Sequence, residues 1–356
     1  MTDARAAAPE ISDLTMTVAG QSYGGWKAAR IRTSIETLAG GFSVTASERW
    51  PQDTGAARRI RTGDAVRLSI GGATVITGSI DAVRVRYDAG NHEVEFTGRD
   101  ATGDLVDCSA DIEPGEWRGQ KLEAIAAALA APFGIKVGVS GDTGNAFESF
   151  RLTDGETVAA AIERLCRHRG LLRVADGKGG LVLTRAGTGR APAALVLGQN
   201  VLEASGEFDD SQRFSQYRVK GQHPTVDLQA PAQTVSPSAV VRDRGMGRHR
   251  PLIVIAEEPG DEAQYATRAQ WEANMRYGKA RRATYTVAGW TAAGTLWRPN
   301  AMVHVRDDFV GIDEEMLVVG VDFSLDEQGS RTAISVARRQ AFELLPMPER
   351  KGALSL

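Results

Sequence analysis

The stretch from Asp64 to Ala101, DAVRLSIGGATVITGSIDAVRVRYDAGNHEVEFTGRDA, constrains the fold more than any other part of the chain. Val66, Leu68 and Ile70 alternate with polar residues, a Gly71-Gly72 turn leads into Val75 and Ile76, and Ile80, Val83 and Val85 carry the apolar positions onward. Asp88-Ala89-Gly90-Asn91 marks a second turn before Val94 and Phe96. Strict alternation broken by Gly and Asn/Asp turns is the pattern of half-buried antiparallel strands. A second stretch, Asn300 to Ala341, echoes it. Asp64-Ala65-Val66 answers to Asn300-Ala301-Met302, Gly78-Ser79-Ile80-Asp81 to Gly320-Val321-Asp322, the Asp88-Ala89-Gly90 turn to Asp326-Glu327-Gln328-Gly329, and Arg99-Asp100-Ala101 to Arg339-Gln340-Ala341. The hairpin before the central glycine is longer in the second copy. Any two β-meanders share turn residues, so turn matches alone do not separate duplication from coincidence. We read the echo as an internal duplication, which predicts two similar β-units at opposite ends of one chain.

The 356 residues exceed one ordinary core, so several domains are expected. A hydrophobic share of 42% with 24% charged residues is that of a soluble globular protein. The net charge of −3 argues against bulk attraction to nucleic acid or anionic membrane. Cys108 and Cys166 lie far apart without metal-ligand spacing, so a disulfide framework is not expected and folding in a reducing cytosol is. No apolar run reaches membrane-spanning length, and no direct membrane insertion is expected.

Residues to about Pro9 read as an arm. Leu14–Val18, Ala29–Ile35 and Phe42–Glu48 alternate as further strands, and with the opening meander they make six or seven, enough to close a small barrel. After Cys108 the composition turns helical: Leu122–Ala131 is stopped by Pro132 and Gly134. Thr153-Asp-Gly-Glu156 fits a capping box for a second helix with Val158, Ile162 and Leu165 on one face and Gly170 at its end. Burial of each of those three aliphatics should contribute about 1.5–3 kcal/mol. Leu171–Val174 and Leu181–Thr184 flank a glycine-rich hairpin turn, and Gly187–Pro192 reads as a linker. From His223 to Arg250 no period is sustained; Asp261 then caps a helix from about Glu262 to Arg282 with Tyr265, Ala269 and Ala273 as a thin apolar stripe. The predicted fold class is mainly β with α+β parts: two similar antiparallel β-barrel domains plus a small α/β domain and a helical/loop insertion. The boundaries are a barrel over 1–108, the α/β domain over 109–190, a second barrel from 191–222 and 284–345, the insertion over 223–283, and a flexible tail from 346.

The sequence carries no nucleophile elbow, no H-E-x-x-H and no phosphate-binding glycine loop. The five histidines are scattered, and the acidic groups Asp209-Asp210, Glu257-Glu258, Asp307-Asp308 and Asp313-Glu314-Glu315 fall in predicted turns, so no catalytic residue, metal site or cofactor is expected. Three basic groups stand out: Arg58-Arg59-Arg61, Arg276-Lys279-Arg281-Arg282, and the set Arg242, Arg244, Arg248, His249 and Arg250 in the long loop. The loop set is the candidate surface for a polyanion or a subunit contact; solvated surface charge is the plainer alternative.

Thr77–Val83, Phe96–Ser109, Phe208–Gln222, Arg248–Ile255, Leu296-Trp-Arg-Pro-Asn300 and Met316–Val319, taken in order and spacing, resemble Mu-type contractile-tail phage baseplate hub proteins. The similarity covers about residues 10 to 345 and extends to the hub part of type VI secretion spike proteins. It implies a structural, non-enzymatic trimer whose duplicated units present six β-barrels to a six-fold tail tube while the three-fold side accepts a membrane-piercing spike. It also implies the spike, the tail tube or adjoining baseplate proteins as partners, location in the virion's tail baseplate, and at most non-specific DNA contact in the lumen. The alternatives are a cell-wall hydrolase and a polyanion-binding module of a tail.

Overall fold

The computed structural model of the chain describes residues 14–47, 60–89, 92–221, 238–256 and 261–343. The N-terminal arm, Arg58-Arg59, the first part of the long loop and the C-terminal tail lie outside the described residues. The main sheet has 14 strands among the described residues; after a first strand β1 (Leu14–Val18) it is built chiefly from two sets of five. The first set is β2 (Ala28–Ser34), β3 (Gly41–Ser47), β4 (Ala65–Ile70), β5 (Ala73–Tyr87) and β6 (His92–Asp100). The second is β7 (Val201–Phe208), β8 (Arg281–Ala288), β9 (Ala301–Asp307), β10 (Ile312–Asp326) and β11 (Gly329–Ala337).

In the first set the hydrogen-bonded order is β2–β3–β6–β5–β4, and in the second β7–β8–β11–β10–β9, with every pair antiparallel. The five strands thus meet in one order in both units. Both long strands, β5 and β10, have 15 residues, and both carry a bulge against their partner, between Ile80 and Ala82 and between Val318 and Gly320. A residue with left-handed backbone precedes β4 and β9 alike: Gly63 at φ 84° and Asn300 at φ 64°. Each donates its N–H, at 2.8 Å, to the carbonyl just before the bulge, Gly63 to Ile80 and Asn300 to Val318. This fixes residue equivalence: Gly63 with Asn300, Ala82 with Gly320, Gly98 with Val336. Of the matches read from the sequence, the turn at Asp88 with that at Asp326 falls in register, while the others are displaced by one residue at Asp64, four at Gly78 and two at Arg99. Turn residues recur in any hairpin, whereas the bulge is set by hydrogen bonding.

The expectation of two closed barrels is corrected. The described pairings run on as one open, branched sheet, because β2 of the first unit pairs with β10 of the second. Ile31, Leu68 and Phe96 from one unit and Tyr285, Val318 and Ile334 from the other lie in one apolar cluster. Six or seven strands would suffice to close one barrel, but each unit instead covers an edge with its neighbour.

Between the units sits the α/β part, with α1 (Gly103–Asp107), α2 (Leu122–Ala130) and α3 (Val158–Arg169). Val158, Ile162 and Leu165 are buried as their spacing predicts, and Gly170 ends α3 in the left-handed conformation. The cap differs from the expectation. Thr157 is the N-cap, accepting from the Ala160 N–H, while Glu156 reaches back to the Thr153 N–H within the preceding turn. The predicted linker is also tied down: Gly189-Arg190 pairs in parallel with the start of β9. Cys108 is exposed and Cys166 buried; neither is in a disulfide, and desolvation pushes the Cys166 thiol up to about 12.

The second unit is interrupted between β7 and β8 by a lobe. Its sheet has Gln216–Lys220 between Ser238–Arg242 and Pro251–Ile255, and it packs on α4 (Glu262–Lys279) through Val219, Ala239, Tyr265 and Ala269. Asp261 and Gln264 form a capping box. Two expectations change here. Residues 238–242 form a strand, because Ala239 and Val241 turn into this small core, and α4 stops at Lys279 so that Arg281 and Arg282 begin β8.

Backbones approach closely beside the bulge of β5. A Cβ on Gly78 would lie 2.0 Å from the Arg99 carbonyl oxygen, and one on Gly98 would lie 2.1 Å from that of Ser79. Gly98→Ala is therefore expected to destabilise the fold by about 1–3 kcal/mol, as overpacked sites do. A lowered thermal unfolding midpoint checks this; an unchanged midpoint contradicts the close approach.

Candidate assembly interface

The junction β2·β10 joins the units in a defined register, Thr33 opposite Val321, Arg32 opposite Asp322 and Ile31 opposite Phe323. Alternation divides it into two faces. On the inner face Ile31, Val321 and Phe323 are buried together. On the outer face the Asp322 carboxylate accepts from both neighbouring arginines, from Arg30 Nη2 at 2.6 Å and Arg32 Nη2 at 3.0 Å. Its hydrogen bonds hold the Arg30 guanidinium above its ordinary range, against the burial that opposes the charge. Both arginine side chains remain largely exposed, so the pairs contribute modestly to stability and mainly penalise a slipped register.

A second polar anchor holds the lobe. Arg213, almost fully buried, donates from Nε to Asp243 at 2.6 Å and from Nη2 at 3.0 Å, and from Nη1 to Asp210 at 3.2 Å. Its guanidinium lies 4.9 Å from the Tyr277 ring centre, and Arg338 covers the same ring at 4.0 Å. Arg250 and Arg276 stack on Phe214. Burial raises the Asp243 carboxyl, but the hydrogen bonds from Arg213 and the Gly245 N–H outweigh it, leaving Asp243 below the usual carboxylate range. At the end of β6 the balance is opposite. Desolvation raises Asp100 despite hydrogen bonds from the Thr102 hydroxyl and the N–H groups of Gly40 and Thr102.

Of the five candidate residues, Arg242, Arg244, Arg248 and His249 are exposed on the turn that Asp243 folds. Arg250 is turned inward, its Nη2 donating to the Ser211 carbonyl at 2.7 Å. Arg276 and Arg282 from the group Arg276-Lys279-Arg281-Arg282 are engaged by Glu272 and Glu36. Among the described residues no group of three His, Cys, Asp or Glu side chains is placed to hold a metal ion, and no helix is long and apolar enough to cross a membrane. Arg213, Asp243 and the Arg30–Asp322–Arg32 triad were not singled out from the sequence. The only signal for the triad is a charged residue alternating with core positions in both strands.

Baseplate hub protein gp44 of Escherichia phage Mu is 34% identical over 352 residues, covering 95% of this chain and 91% of that one. The chain belongs to the Mu baseplate hub family. Family models agree segment by segment: the N-terminal part of the Mu GpP-like baseplate assembly protein over residues 13–100, the second domain of gp44-like hub proteins over 102–185, and the fourth GpP domain over 261–345. The 43 kDa tail protein of prophage MuSo2 from Shewanella oneidensis has TM-score 0.82 at 37% identity, covering 93% of this chain and 99% of that one. A tail protein from Neisseria meningitidis MC58 shares the fold at TM-score 0.76 and 24% identity, with 93% and 99% covered. An Escherichia coli type VI secretion component shares the fold at TM-score 0.57 and 10% identity, with 94% and 80% covered. The hub is thus a baseplate protein of a Mu-like tail, and the duplicated five-strand unit belongs to that architecture.

Breaking the Arg213–Asp243 pair leaves a buried charge without a partner. Arg213→Ala is expected to cost the lobe about 3–5 kcal/mol, seen as faster amide exchange across Gln216–Lys220 with little change in β2–β6. The pH dependence has a definite sign. Because Asp243 is depressed in the folded state, its contribution is present above its unfolded value of about 4 and is lost as pH falls through the folded one. Acidification below about pH 4 should loosen the lobe, and Asp243→Asn should flatten that response in an exchange experiment.

Proposed function

We propose that this chain is the trimeric hub of a contractile-tail baseplate, a symmetry adaptor between a six-fold tail tube and a three-fold membrane-piercing spike. The observation that carries the reading is the repeated five-strand unit. A single chain holding two units of identical strand order supplies six when three copies surround one axis. The fold shared with the type VI secretion component, itself structurally similar to the phage T4 tail proteins gp27 and gp5, supports a spike as one partner. The tail tube or adjoining baseplate proteins are the others. The role is structural and non-enzymatic, in the virion's tail after assembly in the host cytoplasm. On this reading Arg242, Arg244, Arg248 and His249 form a subunit contact or meet passing DNA without sequence preference.

Light scattering of the purified chain, alone and with its spike, tests the central claim. The expected mass is three times the chain's 38.1 kDa. A monomer in both conditions at micromolar concentration overturns the trimeric hub. If the turn is a subunit contact, replacing Arg242, Arg244 and Arg248 with Ala should lower that mass; if it meets DNA, the mass should stay unchanged. If the turn meets DNA, the change should also reduce the salt slope of duplex binding by about 2–3.

A further inference from the structure

The two units are equivalent in strand order, but one edge of each is treated differently. In the second unit, the edge of β10 beyond its bulge is covered by β2. The matching edge of β5 is left open: β4 pairs only as far as Ser79, and among the described residues Ala82–Tyr87 pairs with β6 on one side and with no strand on the other. The strand that would be needed is the counterpart of β2, namely β7, and among the described residues β7 pairs only with β8. Each chain therefore carries one filled junction, one empty socket and one unused strand.

The two open edges match in chemistry. Equivalence through the bulges places Ala82 at Gly320, Val83 at Val321, Arg84 at Asp322 and Val85 at Phe323. Equivalence through β3 and β8 places Gly206 at Ile31, Glu207 at Arg32 and Phe208 at Thr33. Carrying the β2·β10 register across sets Val83 opposite Phe208, Arg84 opposite Glu207 and Val85 opposite Gly206. The apolar face again meets an apolar face, and the charged face a charged one of opposite sign. Arg84 and Arg86 face Glu203 and Glu207, whereas at the filled junction the acid is on the long strand and the arginines on its partner. The sign reversal would set arginines of β5 against those of β2, which disfavours exchange of the two strands between sockets.

Exposure points the same way. Val321 and Phe323 are 1% and 3% exposed at the filled junction, but Val85 is 61%, Tyr87 78% and Phe208 49% exposed. Long open edges with bare apolar side chains invite strand addition.

We propose that β7 of one copy adds antiparallel to β5 of the next, in the register that β2 uses on β10. The sheet then continues from chain to chain around the ring. This rests on the trimeric hub reading and names the surface by which the trimer closes. The contact is heterologous, so it closes into a ring only when the rotation per copy divides the circle; three copies give six quasi-equivalent junctions.

The test uses the full chain with Cys108→Ser to remove the exposed thiol. Arg84→Cys combined with Glu207→Cys should give reducible cross-linked trimers, and Arg84→Cys with Glu203→Cys, four residues out of register, should give about tenfold fewer, since disulfide geometry tolerates little displacement. Glu207→Arg should weaken trimerisation by about tenfold or more, and adding Arg84→Glu should recover most of the loss. A wild-type trimer that neither cross-links through the 84/207 pair nor responds to Glu207→Arg overturns the strand pairing and leaves the trimeric reading standing. A chain that is monomeric with and without its spike and does not cross-link overturns both. Cross-linking in register supports the pairing even where the uncrosslinked ring dissociates on dilution.

Discussion

The antiparallel pairing of β2 with β10 is the contact on which the rest of the molecule depends. It brings residues nearly 300 positions apart into one ladder, with Arg30 and Arg32 on the two sides of Asp322 and Ile31 against Phe323. Backbone bonds fix direction, the buried side chains supply most of the stabilisation through lost apolar surface, and the charged outer face makes a slipped register costly. Without this contact the two units would be separate half-covered sheets with bare edges. With it they share an apolar core, and the α/β part is held between them by the strand that runs beside β9.

The lobe inserted between β7 and β8 is built on a different principle. Its apolar core is small, so polar anchors carry a larger share: Arg213 with Asp243, and arginines stacked on Phe214 and Tyr277. Replacing a buried pair of this kind by apolar groups is often neutral, but it fixes one conformation of the turn that follows. That turn presents Arg242, Arg244, Arg248 and His249 outward from a rigid base. Charges that look alike in the sequence are thereby divided: Arg250 and Arg276 are structural, and the four on the turn are free to meet a partner's surface.

Much of the local structure was legible from residue pattern. Alternation located the meander strands, the apolar spacing of Val158, Ile162 and Leu165 located α3, and Asp261 marked the start of α4. Errors arose where local signals compete. Thr153-Glu156 satisfies a capping-box pattern, yet Thr157 caps the helix, because a short turn can satisfy the same groups one step earlier. The duplication was visible through its turns, and the turn at Asp88 was matched to that at Asp326 in register, but the other three matches were displaced, since short similar segments fit several positions along a ladder. The assembly residues were the least legible. Arg30, Arg32 and Asp322 are ordinary solvent-side charges until a distant strand is laid beside them.

The sequence by itself determined the element types, the doubling of the β-unit and the family to which the hub belongs. Periodicity, capping chemistry and turn composition act over a few residues and survive in one dimension. Only the tertiary structure decided that the two units form one open sheet rather than two barrels, and which edges are filled and which are left bare. Those outcomes depend on pairing between segments hundreds of residues apart, where register is selected by the joint match of apolar faces and charges on strands that no local pattern connects.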